Sequence, residues 1–174
     1  NADVSDIAAS KLTGALPAIS GASLTGITTG KILQVVQAIG NTGSTTTSST
    51  VAVVGDAGTI TPSATSSKIL VTITGTVRWG SNSGGVLAIW RDIGGAGYSQ
   101  AQAFSRHSIY QSHSDGNYEQ GQFVSMSYLD SPNTTSACSY KAGINTWTTG
   151  QTTWWLPNPN HQDRTTIIMM EIAG

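Results

Sequence analysis

Charge is what this sequence has least of. Lys, Arg, Asp and Glu make up 10% of its 174 residues, against roughly a quarter in an ordinary globular protein. The eight basic residues are scattered singly and the formal net charge is −1. No basic stripe is therefore available to neutralise a phosphate backbone, which argues against nucleic acid as a partner. Cysteine is nearly missing as well. Cys138 stands alone, so an internal disulfide framework is excluded, in keeping with assembly in a reducing cytoplasm. No apolar run reaches the length of a membrane-spanning helix, so membrane insertion is not expected.

Low charge does not imply disorder here. Disordered chains combine high net charge with few aromatic and β-branched residues. This chain instead holds five Trp, five Tyr and many Val, Ile and Thr, and about a quarter of it is Ser or Thr, with 20 Gly. That composition suits pleated sheet joined by tight turns.

The chain changes character near residue 30. Residues 1–30 carry an imperfect repeat, Leu12-Thr13-Gly14 and then Leu24-Thr25-Gly26, with Ile19-Ser20-Gly21 between them. Residues 3–11 suit one or two helical turns with Asp3 as N-cap. Beyond Leu12, the glycines and Pro17 exclude a long helix. The apolar residues Leu12, Leu16, Ile19, Leu24 and Ile27 are too few to offset the entropy of ordering the backbone between them. The expectation is a short extended stalk in which copies from sister chains share one apolar axis. A floppy linker is the alternative.

From residue 31 to 174 the pattern is strand after strand. Strands are expected over 32–39, 45–54, 68–79, 86–92, 122–130, 136–142 and 165–173, within a total of eight to ten. In 68–79, Ile69, Val71, Ile73, Val77 and Trp79 fall on one face and Thr72, Thr74, Thr76 and Arg78 on the other, with Gly75 a candidate bulge. The last strand is apolar on both faces, which predicts a central position in its sheet. No amphipathic helix is evident after residue 31. The fold class read from this pattern is all-β, an antiparallel β-sandwich of jelly-roll type.

Catalytic and metal chemistry find little support. His107 and His113 lie six apart, followed by Asp115 and Glu119, in no recognised ligand spacing, and His161 is remote in sequence. The run 115–119 lacks the ligand series of a calcium loop. Gly94-Gly95-Ala96-Gly97 lacks the Lys-Ser/Thr of a phosphate-binding loop, and no G-x-S-x-G elbow occurs. Asn133-Thr134-Thr135 has the form of a glycosylation sequon, which matters only in a eukaryotic secretory pathway, and is read as a turn. A glycosidase needs two carboxylates in a cleft; Asp92, Asp115, Glu119 and Asp130 are the acids available for such pairing. No enzyme, cofactor or metal is expected. Aromatic residues among polar neighbours are the better hint, because such rings stack on sugars and anchor interfaces. The candidates are Tyr98, Tyr110 and Tyr118 in the loop-rich middle, and Trp154 and Trp155 near the end, with Trp147 close by. Adjacent Trp154 and Trp155 on a strand point to opposite faces, so at least one belongs to a core or a subunit interface.

Two stretches carry a resemblance. KLTGALPAISGASLTGITTGKILQVVQ resembles the repeat-bearing stalk that precedes the head in tailed-bacteriophage tail-fibre and appendage proteins. The series SSKILVTITGTVRWG, LAIWRD, SYLDSPNTTSACSYKAG and TTIIMMEIAG is similar to the C-terminal head domain of the same proteins. Residues 82–121 match less well and look like loops particular to this protein. The resemblance implies a homotrimer with a short stalk and a jelly-roll head of the tumour-necrosis-factor or C1q type. It implies a virion location on the tail, attachment to other tail or baseplate proteins through the N-terminal segment, and recognition of a host surface glycan or protein. The rival expectations are a capsid or neck decoration protein without a receptor, and a secreted carbohydrate-binding module.

Overall fold

The computed structural model describes residues 32–80, 82–101, 106–111, 121–155 and 163–174. The expected stalk, with Leu12, Leu16, Ile19, Leu24 and Ile27, lies outside the described residues, as do Tyr118, His113, Asp115, Glu119 and His161. All regular structure among the described residues is β: β1 (Ile32–Gly40), β2 (Ser44–Thr46), β3 (Ala52–Ile60), β4 (Lys68–Trp79), β5 (Ser83–Ile93), β6 (Ser99–Gln100), β7 (Arg106–Gln111), β8 (Gln122–Asp130), β9 (Cys138–Ile144), β10 (Thr153–Trp155) and β11 (Thr165–Ile172).

Two antiparallel sheets pack face to face as a β-sandwich. In the first, β4 pairs with β8 on one side. On its other side its first part pairs with β11 and its last three residues with β10. Beyond these lie β1 against β11 and β2 against β10. In the second sheet, β5 pairs with β9 on one side, and with β7 and then β6 on the other, while β3 lies outside β9. Each sheet is thus four strands wide; strands in line share two positions in the first, β1 with β2 and β11 with β10, and one in the second, β7 with β6.

Period-two patterning decides which face each strand buries. Ile69, Val71, Ile73, Val77 and Trp79 of β4, Val124 and Met126 of β8, and Ile167 and Met169 of β11 point inward. They meet Leu87 and Ile89 of β5 and Tyr140, Ala142 and Ile144 of β9. β11 is central, flanked by β1 and β4, as its two-sided apolar pattern predicts.

Two expectations need correction. The predicted strand over 45–54 is interrupted: the chain leaves the first sheet after Thr46 and joins the second at Ala52. Hydroxyls cause the break. Ser48 N–H donates to Thr46 Oγ1 (3.1 Å) and Thr50 N–H to Ser48 Oγ (2.9 Å), so side chains take the bonds that a ladder would need. The second correction concerns Gly75, which is no bulge. The β4–β8 register runs unbroken through Thr74↔Ser125, Gly75↔Val124 and Thr76↔Phe123. Glycine is required there because Trp155 lies against the backbone: a Cβ would sit 2.4 Å from Trp155 Cζ2. Gly75→Ala therefore overpacks the core and is expected to lower stability by ~1–3 kcal/mol in urea unfolding, with the slope unchanged.

One polar cluster ties the two sheets together. Arg91 of β5 donates through Nη1 to both oxygens of Asp130 on β8 (2.6 and 2.7 Å), and Tyr140 Oη of β9 donates to Asp130 Oδ2 (2.7 Å). Asp130 and Tyr140 are buried. Burial raises the Tyr140 phenol pKa, and its bond to the Asp130 carboxylate raises it further. The same carboxylate holds the Arg91 pKa up against the opposing effect of burial.

Candidate binding surfaces

The outward faces of the two sheets differ in chemistry. On the first sheet the register aligns Val35, Met170, Leu70 and Leu129 in one row across four strands, so the row is apolar from edge to edge. Val35 at one end is 57% exposed and Leu129 at the other is also exposed. Ile39, Ile168 and Phe123 extend the apolar surface along the same face, Phe123 being 74% exposed. Between them run Thr72, Thr74, Ser125 and Ser127, with Thr72 and Ser127 hydroxyls bonded across the strands (2.9 Å). Beyond the aligned row, Lys68 and Arg78 lie at the two ends of β4.

On the outer face of the second sheet two of the predicted tyrosines lie at opposite ends, with Trp90 of β5 between them. Tyr110 pairs with Gly84 at the start of β5 and is exposed. Tyr98 lies at the far end, half-buried, with Lys141 Nζ 5.6 Å from its ring centroid. Burial raises the Tyr98 phenol pKa, and the nearby Asp92 charge adds to that. At strand rise the two tyrosines are separated by roughly 25 Å along β5.

The remaining predicted residues do not join them. Trp154 is on the outer face of the first sheet, where the Arg78 guanidinium carbon sits 3.9 Å from its ring centroid, so one face of the indole is already taken by a cation. Trp155 is 1% exposed and fills the core, with Nε1 donating to Thr165 Oγ1 (2.8 Å). Its ring has no face open to a ligand. The expected receptor-binding set is thus divided among two sheet faces and the core, apart from Tyr118, which lies outside the described residues.

Trp147 was absent from that set, yet it is the exposed indole among the described residues, at 47%. It precedes a turn over 148–151 closed by Gln151 N–H to Thr148 C=O (3.1 Å), with Gly150 at φ 83°. Its N–H donates to Gly84 C=O (2.9 Å), and its ring rests over Gly84: a Cβ there would lie 3.1 Å from Trp147 Cε3 and 2.9 Å from Tyr110 Cα. The turn signal Thr-Thr-Gly-Gln directly after a tryptophan is the sequence feature that points to it.

Of the four acids named for catalytic pairing, the two among the described residues, Asp92 and Asp130, are engaged elsewhere. Asp130 holds the inter-sheet cluster, and Asp92 Oδ1 accepts the Gly97 N–H (3.1 Å) in the β5–β6 turn. Asp56 accepts both the N–H and the hydroxyl of Thr42 (2.8 Å each), pinning the β1–β2 turn. Burial raises the Asp56 pKa, but those bonds outweigh it and leave the group below its ordinary value. Among the described residues no three of His, Cys, Asp and Glu converge as a metal cage.

Glu171 is the buried carboxylate with the largest consequence for pH. Ser63 N–H and Oγ both donate to Oε1 (2.6 Å each), and Gln34 Nε2 donates to Oε2 (2.6 Å). Burial alone raises its pKa; the hydrogen bonds win and hold it at about 2. A folded-state value depressed below the unfolded one stabilises fully above the unfolded pKa and is lost as pH falls through the folded value. Glu171 should therefore contribute on the order of 3 kcal/mol near neutrality, lost between about pH 4.5 and 2. Urea titrations at stepped pH should show a shallower acid limb in Glu171→Gln than in the parent chain.

No family model matches this sequence, and no curated protein is similar to it at a significant level.

Proposed function

We propose that this chain is a structural virion protein of a tailed phage, the tip of a tail fibre, whose head binds a host cell-surface receptor, a glycan. In this reading the head is a homotrimeric jelly roll, residues 1–30 form the shared stalk, and the protein has no catalytic role. The observation that carries it is the edge-to-edge apolar row Val35, Met170, Leu70 and Leu129 on the outer face of the first sheet. A chain with so few charges that leaves such a face bare has a surface suited to burial against copies of itself.

Strand order supports the jelly-roll assignment. Taking in-line short strands as one position, the sheets run β1/β2, β11/β10, β4, β8 and β3, β9, β5, β7/β6. Numbered by position along the chain, these are first, eighth, third, sixth and second, seventh, fourth, fifth. That is the order produced by wrapping one long antiparallel hairpin around a barrel of two sheets. A trimer presents three equivalent receptor sites on one rigid head, so weak single contacts combine through effective concentration. Low charge makes such attachment less sensitive to salt than a charge-driven contact.

A secreted carbohydrate-binding module is the second reading, favoured by the exposed Trp147. The two differ in oligomeric state. Light scattering on the purified full-length chain should report three copies of the 18.0 kDa polypeptide for the fibre tip, and one copy for the module. A monomer overturns the fibre reading. A trimer with no adhesion to any bacterial surface points instead to a decoration role on the capsid or neck.

A further inference from the structure

The β2–β3 connection and the turn between β9 and β10 meet at one end of the sandwich. Thr146 N–H donates to Ser48 C=O (3.0 Å) and Asn145 Nδ2 to Ser49 C=O (2.7 Å), which lock the two segments together. Asn145 is buried and its Oδ1 also accepts the Val86 N–H (2.7 Å), so the junction is anchored into β5. Between the segments lies a recess of about 240 Å³, lined by Thr47, Ser48, Ser49, Thr146 and Thr149. Trp147 lies in the chain between the two lining threonines of the turn, and its indole is exposed.

The lining has one chemistry. Every side chain in it ends in a hydroxyl, and none is charged. Thr146 Oγ1 is bonded to Ser83 Oγ (3.0 Å), and Ser48 Oγ accepts from Thr50 N–H. Among the described residues the hydroxyls of Thr47, Ser49 and Thr149 make no hydrogen bond to protein, so they are able to donate and accept toward an occupant. The volume is below the ~300–1,000 Å³ of clefts that hold drug-sized ligands, which favours a single small ring. Phosphate or carboxylate ligands call for Arg or Lys, and neither lines this recess.

We propose that the recess between the 47–51 connection and the 145–152 turn, together with the exposed Trp147 of that turn, binds one neutral sugar ring of a surface glycan. The hydroxyl lining takes the ring's own hydroxyls, each able to act as donor and acceptor. The exposed indole offers an apolar face to the C–H side of the sugar. Gly84 under the Trp147 ring, and the turn bond from Gln151 to Thr148, hold that indole in place before binding, which lowers the ordering cost. The site deepens the attachment reading and rests on it for the source of the glycan, but its chemistry is testable separately.

The test uses the full-length chain and the methyl glycosides of glucose, galactose, mannose and N-acetylglucosamine, read by saturation-transfer NMR, with methyl glucuronoside as the anionic arm. At least one neutral glycoside is expected to receive saturation. Trp147→Ala should weaken that binding at least ~tenfold, the loss typical of an aromatic anchor. Thr149→Val, which removes one hydroxyl at nearly constant volume, should weaken it severalfold with the fold intact by circular dichroism. Absence of transfer to all four neutral sugars overturns the proposal, as does unchanged binding in both variants or a clear preference for the glucuronoside. A monomer that binds a neutral sugar through Trp147 sinks the fibre-tip reading and leaves the site standing. A trimer that binds none sinks the site alone.

Discussion

Replacing Val35 and Leu129 together by Glu is expected to turn the proposed trimer into monomers while leaving the sandwich folded. Both residues are exposed in the single chain, so the substitutions cost the isolated head no more than ~0.5 kcal/mol each. In an assembly that covers the outer face of the first sheet, the same carboxylates enter an apolar contact without partners. Removing an ion from water into such a contact costs several kcal/mol even after relaxation. Two charges per chain in every subunit contact exceed what a standard interface can absorb. The two positions lie at opposite ends of one register row, separated by Met170 and Leu70, so they do not repel each other strongly within one chain. Light scattering gives the mass, and circular dichroism shows whether the β signal persists. A variant that remains trimeric places the subunit contact elsewhere.

Asp130→Ala is expected to be the most damaging single change to the head, at ~3–5 kcal/mol. It leaves the Arg91 guanidinium half-buried without its counter-charge and deprives the buried Tyr140 hydroxyl of its acceptor. The cluster is not an optimised one. Arg91 reaches both carboxylate oxygens with Nη1, end-on rather than as a fork, and its buried Nε has no hydrogen bond among the described residues. Removing all three polar groups at once, as Arg91→Met, Asp130→Leu and Tyr140→Phe, should therefore recover most of the loss, because no orphaned group remains. Urea unfolding of the single and triple variants measures this. A triple variant as unstable as Asp130→Ala would mean that the cluster itself, and not the penalty of breaking it, stabilises the sandwich.

Where residues carried their own information, the fold was legible beforehand. The alternation in 68–79 is local, and the strand, its inward face and its ends all follow from it. The closing strand is apolar on both sides, and it takes a central place between β1 and β4. The adjacent Trp154 and Trp155 must face opposite ways on any strand, and they do. By contrast, three short strands were missed: β6, β7 and β10. Two or three residues cannot display a period, and β7 runs through a polar stretch whose pairing with β5 is supplied by the partner strand. The interruption at 47–51 was missed for a related reason. A Ser/Thr run has good strand propensity, and only the competing hydroxyl bonds and the docking of Asn145 turn it away from the sheet.

The candidate sites were less legible than the fold. Choosing aromatic residues by their polar neighbours picked Trp155, which is core, and passed over Trp147, which is exposed. Both lie in the same Thr-rich stretch, so composition does not separate them. The alternation of side chains along each strand and the identity of the inward faces are properties of neighbouring residues, and they were readable from the order of amino acids. Which tryptophan is sheltered, which acid meets Arg91 from 39 residues away, and which hydroxyls end up lining one recess depend on contacts between distant segments. Burial and hydrogen bonding are set by what the folded chain brings together, and no local pattern encodes that.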